Sequence, residues 1–237
     1  MKLEELNLRV WRGKDVRRGA AGIATGFAAL DDHLPGRGWP PGALTEILID
    51  RYGSGELSLL MPALASLTRH DATREKKWVA WISPPLIPYA PALEQCGVGV
   101  ERLLMIQPSA GAKNRLWAVE QVVRSGTSCA VLAWLAAVDH VALRRLQLAA
   151  EEQSCWVVLF RSVDACTERS PAALRIRLWR EDCTLRLEIL KCRGGRPGVV
   201  DIAANFPKST EDLYREVRRQ PRAGPNEIRD TDSGAAP

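Results

Sequence analysis

Residues 43–50 read Ala43-Leu-Thr-Glu-Ile-Leu-Ile-Asp50, and Arg51-Tyr-Gly-Ser-Gly55 follows, opening into Glu56. A short, nearly continuous apolar run bounded by turn residues is the pattern of a strand buried on both faces. The next stretch, Glu56 to His70, is helical in composition, with Pro62 expected to kink it or mark a boundary. Strand, glycine loop and helix in that order form the unit from which parallel α/β sheets are built.

The same alternation extends outward in both directions. Upstream, Thr25-Gly-Phe-Ala-Ala-Leu-Asp-Asp-His-Leu34 places Phe27, Leu30 and Leu34 on one side of a short helix. The turn Pro35-Gly-Arg-Gly-Trp-Pro-Pro-Gly42 ends it. Downstream, strands are expected at 77–82, 103–106, 129–135 and 155–160, with helices within 84–96 and at 114–124 and 143–153. The period then changes. Leu174-Arg-Ile-Arg-Leu-Trp179 and Thr184-Leu-Arg-Leu-Glu-Ile-Leu-Lys191 alternate apolar and polar residues, the mark of half-exposed antiparallel strands. The expected fold class is α/β: a mostly parallel sheet with helices on both faces and an antiparallel hairpin at one edge. Residues 1–21 read as an arm, 22–206 as the core, and 207–237 as a mobile tail with one short helix near 210–219.

Of 237 residues, 46% are hydrophobic and 26% charged, which supplies enough apolar surface to offset the entropy of ordering a core. The longest apolar run, 129–138, is half of what a membrane-spanning helix needs. The first residues lack a secretory pattern, so a cytoplasmic, membrane-free protein is expected. Six cysteines without a C-x-x-C pair, and three histidines without ligand spacing, point to reduced thiols and to no metal site.

Ligands of parallel α/β sheets bind beyond the carboxyl ends of the strands, which directs attention to Gly53, Ser54, Gly55, Glu56, Leu57 and Ser58. A working phosphate loop ends in Gly-Lys-Ser/Thr, its lysine reaching the phosphates and its hydroxyl the magnesium. Here Gly55 is followed by Glu56 and Leu57, and Ser58 comes one position late. A carboxylate in place of the ammonium repels phosphate, so the loop reads as a relic, with no nucleotide cofactor.

Thr25-Gly-Phe-Ala-Ala-Leu-Asp31, the glycine–proline turn and Gly42-Ala-Leu-Thr-Glu-Ile47 resemble the start of the RecA recombinase core, and the resemblance runs over roughly residues 22–205. Leu8-Arg-Val-Trp-Arg-Gly13, Gly36-Arg-Gly-Trp-Pro-Pro-Gly-Ala-Leu-Thr-Glu46 and Arg193-Gly-Gly-Arg-Pro-Gly198 more closely resemble the ImuA family. These are RecA-like accessory proteins of mutagenic translesion DNA synthesis. The resemblance implies a RecA-like fold and a non-catalytic adaptor in the SOS response to DNA damage. Its implied partners are an ImuB-like polymerase hub, an error-prone C-family DNA polymerase and RecA. Matched to the recombinase, its catalytic glutamate falls at Pro85 and its Walker B aspartate near Trp134, so neither acid is present. The alternative is a SulA-like inhibitor of cell division acting on FtsZ.

Without ATP chemistry the surface must carry function. Leu8, Val10 and Trp11 in the basic arm are candidate partner contacts, or else fold back on the core. Leu213, Tyr214 and Val217 lie at helical spacing in the tail and form either a docking peptide or a cap. Lys191, Arg193 and Arg196 are candidate contacts for DNA phosphates, with Gly194 and Gly195 allowing close approach. Arg175 and Arg177 read as the wet face of an edge hairpin. Of the eight tryptophans, those in strands (Trp78, Trp81, Trp134, Trp156, Trp179) read as sheet packing, and Trp11 and Trp39 as interface candidates.

Overall fold

The computed structural model describes residues 21–69, 77–109 and 111–203. The chain divides into two units, Met1–Ala204 and Asn205–Pro237, and the second lies outside the described residues. The elements in chain order are α1 (Ala28–His33), β1 (Leu44–Ile49), α2 (Glu56–Thr68), β2 (Trp78–Ile82), α3 (Ala90–Gln95) and β3 (Leu103–Ile106). They continue with α4 (Ala112–Arg124), β4 (Ser128–Trp134), α5 (His140–Gln153), β5 (Trp156–Ser162), β6 (Leu174–Glu181), β7 (Thr184–Cys192) and β8 (Gly198–Ala203).

One eight-stranded sheet is formed, in the order β3-β2-β4-β5-β1-β6-β7-β8. All neighbours from β3 to β6 are parallel, whereas β7 is antiparallel to β6 and to β8. The buried run read from residues 43–50 is the strand with the richest flanks. All six residues of β1 are buried, between β5 and β6. The antiparallel edge is one strand wider than the sequence suggests. Residues 198–203 were not legible as a strand because β8 is an outer strand with exposed Val199 and Asp201, and only Val200 and Ile202 reach the core.

Crossovers place the helices. Leaving β1, the chain moves along the sheet toward β2 through α2, whereas α4 and α5 carry it back in the opposite direction. With the right-handed crossover these opposed movements send α2 to one face and α4 and α5 to the other. The second face is a single apolar cluster. Leu44, Ala80, Val131, Ala133, Val157 and Leu159 meet Val119 and Val123 of α4 and Leu143 and Leu146 of α5. On the opposite face the strands carry aromatics. Trp134 stacks on Phe160 with ring centroids 4.6 Å apart, and Trp81 tilts against Trp134 at 5.7 Å.

Two expectations are corrected here. Trp39 is no surface anchor: it is fully buried and stacks on Trp156 at 5.5 Å. The glycine beside it explains how the loop gets there. A Cβ on Gly38 would lie 2.3 Å from the Ile23 carbonyl oxygen, so only glycine lets the two segments bridge at Ile23 and Trp39. Second, of the kink or boundary expected at Pro62, the boundary is absent: α2 runs through Pro62 to Thr68. Pro62 packs into the space left by the missing side chain of Gly26, and buried Leu59, Leu60, Ala63 and Leu64 hold the helix on both sides of the missing hydrogen bond.

The six cysteines include Cys96, which is exposed, and Cys155, which is buried. Burial, with a smaller contribution from nearby Cys129, pushes the Cys155 thiol up to about 12. Only the thiolate is reactive. Maleimide at mildly alkaline pH should therefore modify Cys96 in the native chain and leave Cys155 untouched until denaturant is added. Peptide mapping by mass spectrometry reads this directly, and native labelling of Cys155 would contradict the burial.

Candidate functional site

The loop between β1 and α2 turns on two glycines in the left-handed region, Gly53 (φ 82°) and Gly55 (φ 103°). Gly55 is the N-cap of α2 and offers no capping side chain. The Ser54 hydroxyl donates to the Arg51 carbonyl at 2.7 Å and holds the loop to itself. Glu56 does the rest. Its side chain curls back so that Oε1 accepts the Gly53 N–H at 2.8 Å, with the residue only 4% exposed. Oε2 is buried and has no partner among the described residues. A loop of this shape ordinarily aims its backbone N–H groups at an incoming anion. In this chain one of those groups, the Gly53 N–H, is already taken by the carboxyl of Glu56. Leu57 and Ser58 are half-buried on the first turn of α2.

Across the carboxyl ends of the strands, Pro85 is exposed in the loop after β2. Trp134, at the end of β4, is 3% exposed within the aromatic stack described above.

A second polar centre lies on the other face of the sheet, and the sequence reading missed it. Glu46 projects from the middle of β1 and is fully buried. Its two oxygens accept from two arginines on the flanking strands: Arg161 Nη1 of β5 and Arg175 Nε of β6, each at 2.7 Å. Arg161 also donates to the Val138 carbonyl at 3.2 Å and to Glu168 at 2.8 Å. Arg175 donates to the carbonyls of Glu168 and Ala165. Burial acts to lower the Arg161 pKa. Its hydrogen bonds to Glu46 and Glu168, together with the negative charges of those groups, outweigh it and hold the guanidinium above its usual value. Arg175 is therefore not on the wet face of a hairpin; it is 5% exposed and satisfied inside the sheet. Arg177 does sit at the surface, its guanidinium 5.2 Å from the Trp179 ring centre. The available signal was Glu46 itself, a carboxylate in an otherwise apolar strand, which demands buried cations.

An open cleft of about 1070 Å³ borders this centre, lined in part by Val138, Asp139, His140, Arg161, Asp164 and Glu168. Most of its polar groups are engaged with one another. Asp139 caps α5 by accepting the Ala142 N–H at 2.8 Å, Asp164 accepts from Ser162, and Glu168 is bound to Arg161. Among the described residues no group of three or more His, Cys, Asp or Glu side chains is arranged to hold a metal ion.

The basic turn between β7 and β8 is partly spoken for. Lys191 donates to the Ser170 carbonyl at 2.7 Å, and burial, then Arg193 and Arg175, push its pKa down. Arg193 pairs with Glu151 at 2.7 Å, whereas Arg196 is exposed. Of the three candidate phosphate contacts, Lys191 and Arg193 thus have partners within the chain. The candidate contacts Leu8, Val10, Trp11, Leu213, Tyr214 and Val217 lie outside the described residues. Among the described residues no helix is long and apolar enough to cross a membrane.

No protein-family model matches the chain. Protein ImuA of Caulobacter vibrioides is 27% identical over 201 residues, spanning 74% of this chain and 80% of that protein. The cell division inhibitor SulA of Edwardsiella piscicida is 32% identical over 102 residues, which is 42% of this chain and only 58% of that protein. Among solved structures, SulA from Pseudomonas aeruginosa superposes with a TM-score of 0.40 at 25% identity, covering 50% of this chain and 97% of that one. The chain is thus weakly homologous to ImuA along most of its length and to SulA over a shorter stretch, as its resemblance to the RecA/SulA-related ImuA proteins implies.

Proposed function

We propose that this protein is a non-catalytic, RecA-like accessory protein of the DNA-damage response, acting in mutagenic translesion synthesis. Its partners in this reading are an ImuB-like polymerase hub, an error-prone C-family polymerase and RecA, with the 1–21 arm, the 22–206 core and the 207–237 tail as separate contact regions. The observation that carries the reading is the similarity to ImuA along 74% of the chain. The closed loop supports its non-catalytic part, because Glu56 takes the N–H that a nucleotide phosphate would use and brings a carboxyl where a lysine is needed. Trp134 and Pro85 stand where a recombinase has its acids. The Arg196 turn offers a minor, sequence-independent DNA contact. The similarity to SulA over 102 residues favours one second reading, a division inhibitor acting on FtsZ.

Two experiments test this. A tagged chain recovered from DNA-damaged cells, after nuclease treatment, should bring down the ImuB-like protein or RecA; recovery of FtsZ instead selects the second reading. Separately, Glu56→Lys should release no phosphate from ATP above background, since the other catalytic groups are still missing. Measurable turnover in that single variant would overturn the non-catalytic assignment.

A further inference from the structure

Helices α4 and α5 each return from the carboxyl end of one parallel strand to the amino end of the next, so they run parallel to each other. The Arg145–Glu120 ion pair, at 2.6 Å, fixes them side by side. Trp117 lies three residues before Glu120 and Val141 four before Arg145, which puts both about one turn to the amino side of that pin. Leu148 follows Arg145 by nearly a turn. Neither helix uses these side chains for the core. Ala118, Val119 and Val123 of α4, and Leu143, Leu146 and Ala150 of α5, face the sheet, while Trp117 is 64% exposed, Val141 65% and Leu148 52%.

The charges around this apolar line are one-sided. Lys113 and Arg124 share the outward stripe of Trp117 by helical spacing, and Arg144 stands beside Val141 on α5; all three are exposed. None forms an ion pair among the described residues, whereas the acids nearby are largely engaged. Glu120 holds Arg145, Glu151 holds Arg193 and Asp139 caps α5, which leaves Glu152 at the far end. Lys113 also sits in the first turn of α4, where no acidic residue balances it against the helix dipole. Local stability does not ask for that cation.

We propose that the joint outer face of α4 and α5 docks an acidic, amphipathic helical segment of a protein partner. This rests on the adaptor reading above and names the surface it uses. Val141 and Leu148 are seven residues, or about 10 Å, apart along α5, matching the i, i+7 spacing of apolar positions on an incoming helix. Acidic flanks on that helix meet Lys113, Arg124 and Arg144. A single-stranded nucleic acid would engage the cations and stack on Trp117 but leave Val141 and Leu148 in water. The protein segment uses every feature of the face.

The test is binding of the full chain to the purified ImuB-like partner by biolayer interferometry, at about 0.15 M salt, where screening is over ~8 Å. A fluorescein-labelled oligo-dT is run in parallel. Trp117→Ala and the double variant Lys113→Glu/Arg144→Glu alter exposed side chains and should melt like the parent. Each should weaken partner binding roughly tenfold or more, as expected of a central aromatic anchor and its complementary charges. If the parent binds and both variants bind equally well, the face is wrong and the adaptor reading stands. Failure of the parent to bind the partner overturns both. Oligo-dT binding that Trp117→Ala abolishes, with partner binding intact, makes the face a nucleic-acid surface and overturns the proposal.

Discussion

Replacing Glu46 by Ala should cost about 3–5 kcal/mol, the range for removing one member of a buried ion-pair cluster. The reason is specific to the geometry. Arg161 and Arg175 lie on either side of β1 with side chains 1% and 6% exposed, and Glu46 takes a hydrogen bond from each. Without the carboxylate, two guanidinium groups remain in the sheet interior with only backbone carbonyls and the half-exposed Glu168 for company. For a chain of this size the loss corresponds to a fall in Tm of roughly 6–20 °C. Glu46→Gln keeps the shape but not the charge and should fall between the two. The triple variant Glu46→Leu/Arg161→Met/Arg175→Met should recover part of the stability, because it removes the stranded charges as well. Full recovery is not expected, since the carbonyls of Val138 and Ala165 lose their donors. Thermal melts of the four proteins decide it, and a parent-like Tm for Glu46→Ala would refute the cluster.

The second large effect is at Trp134. Its ring bridges Phe160 and Trp81 at the carboxyl ends of the central strands. Trp134→Ala should cost about 3–5 kcal/mol through lost burial and the cavity left behind. Trp134→Asp should cost more, because an unpaired carboxylate would be set in an aromatic pack. Urea unfolding curves give both numbers. A stable Trp134→Asp protein would mean that this end of β4 is still a polar site, contrary to its packing.

These two positions also show how far sequence reading reaches. The strand at 43–50 was legible because six consecutive buried residues leave an unbroken apolar run, and the alternating segments at 174–179 and 184–191 were legible because each has one wet face. What sequence could not supply was pairing between distant strands. Glu46 meets Arg161 and Arg175 only because β5 and β6 flank β1, and nothing in local spacing announces that order. The same blindness made Arg175 look solvated, since its alternation with Leu174 and Ile176 is correct but its side of the sheet is covered by the segment 163–168. Trp39 was misjudged and Trp117 was passed over, for opposite reasons. The first lies in a loop that folds into the core, and the second lies in a helix whose apolar stripe excludes it. In the glycine loop the Glu56 carboxylate was readable; that it turns back to accept the Gly53 N–H was not, because this depends on how the side chain curls.

An accessory role in damage-induced mutagenesis that needs no ATP chemistry can be read out in cells. The measurement is the frequency of ultraviolet-induced mutants in a deletion strain complemented with the parent chain or with Glu56→Ala. Deletion should remove most induced mutants, and both chains should restore them equally. Unchanged mutant frequencies in the deletion strain, together with loss of damage-induced filamentation, would contradict it and place the protein in division control.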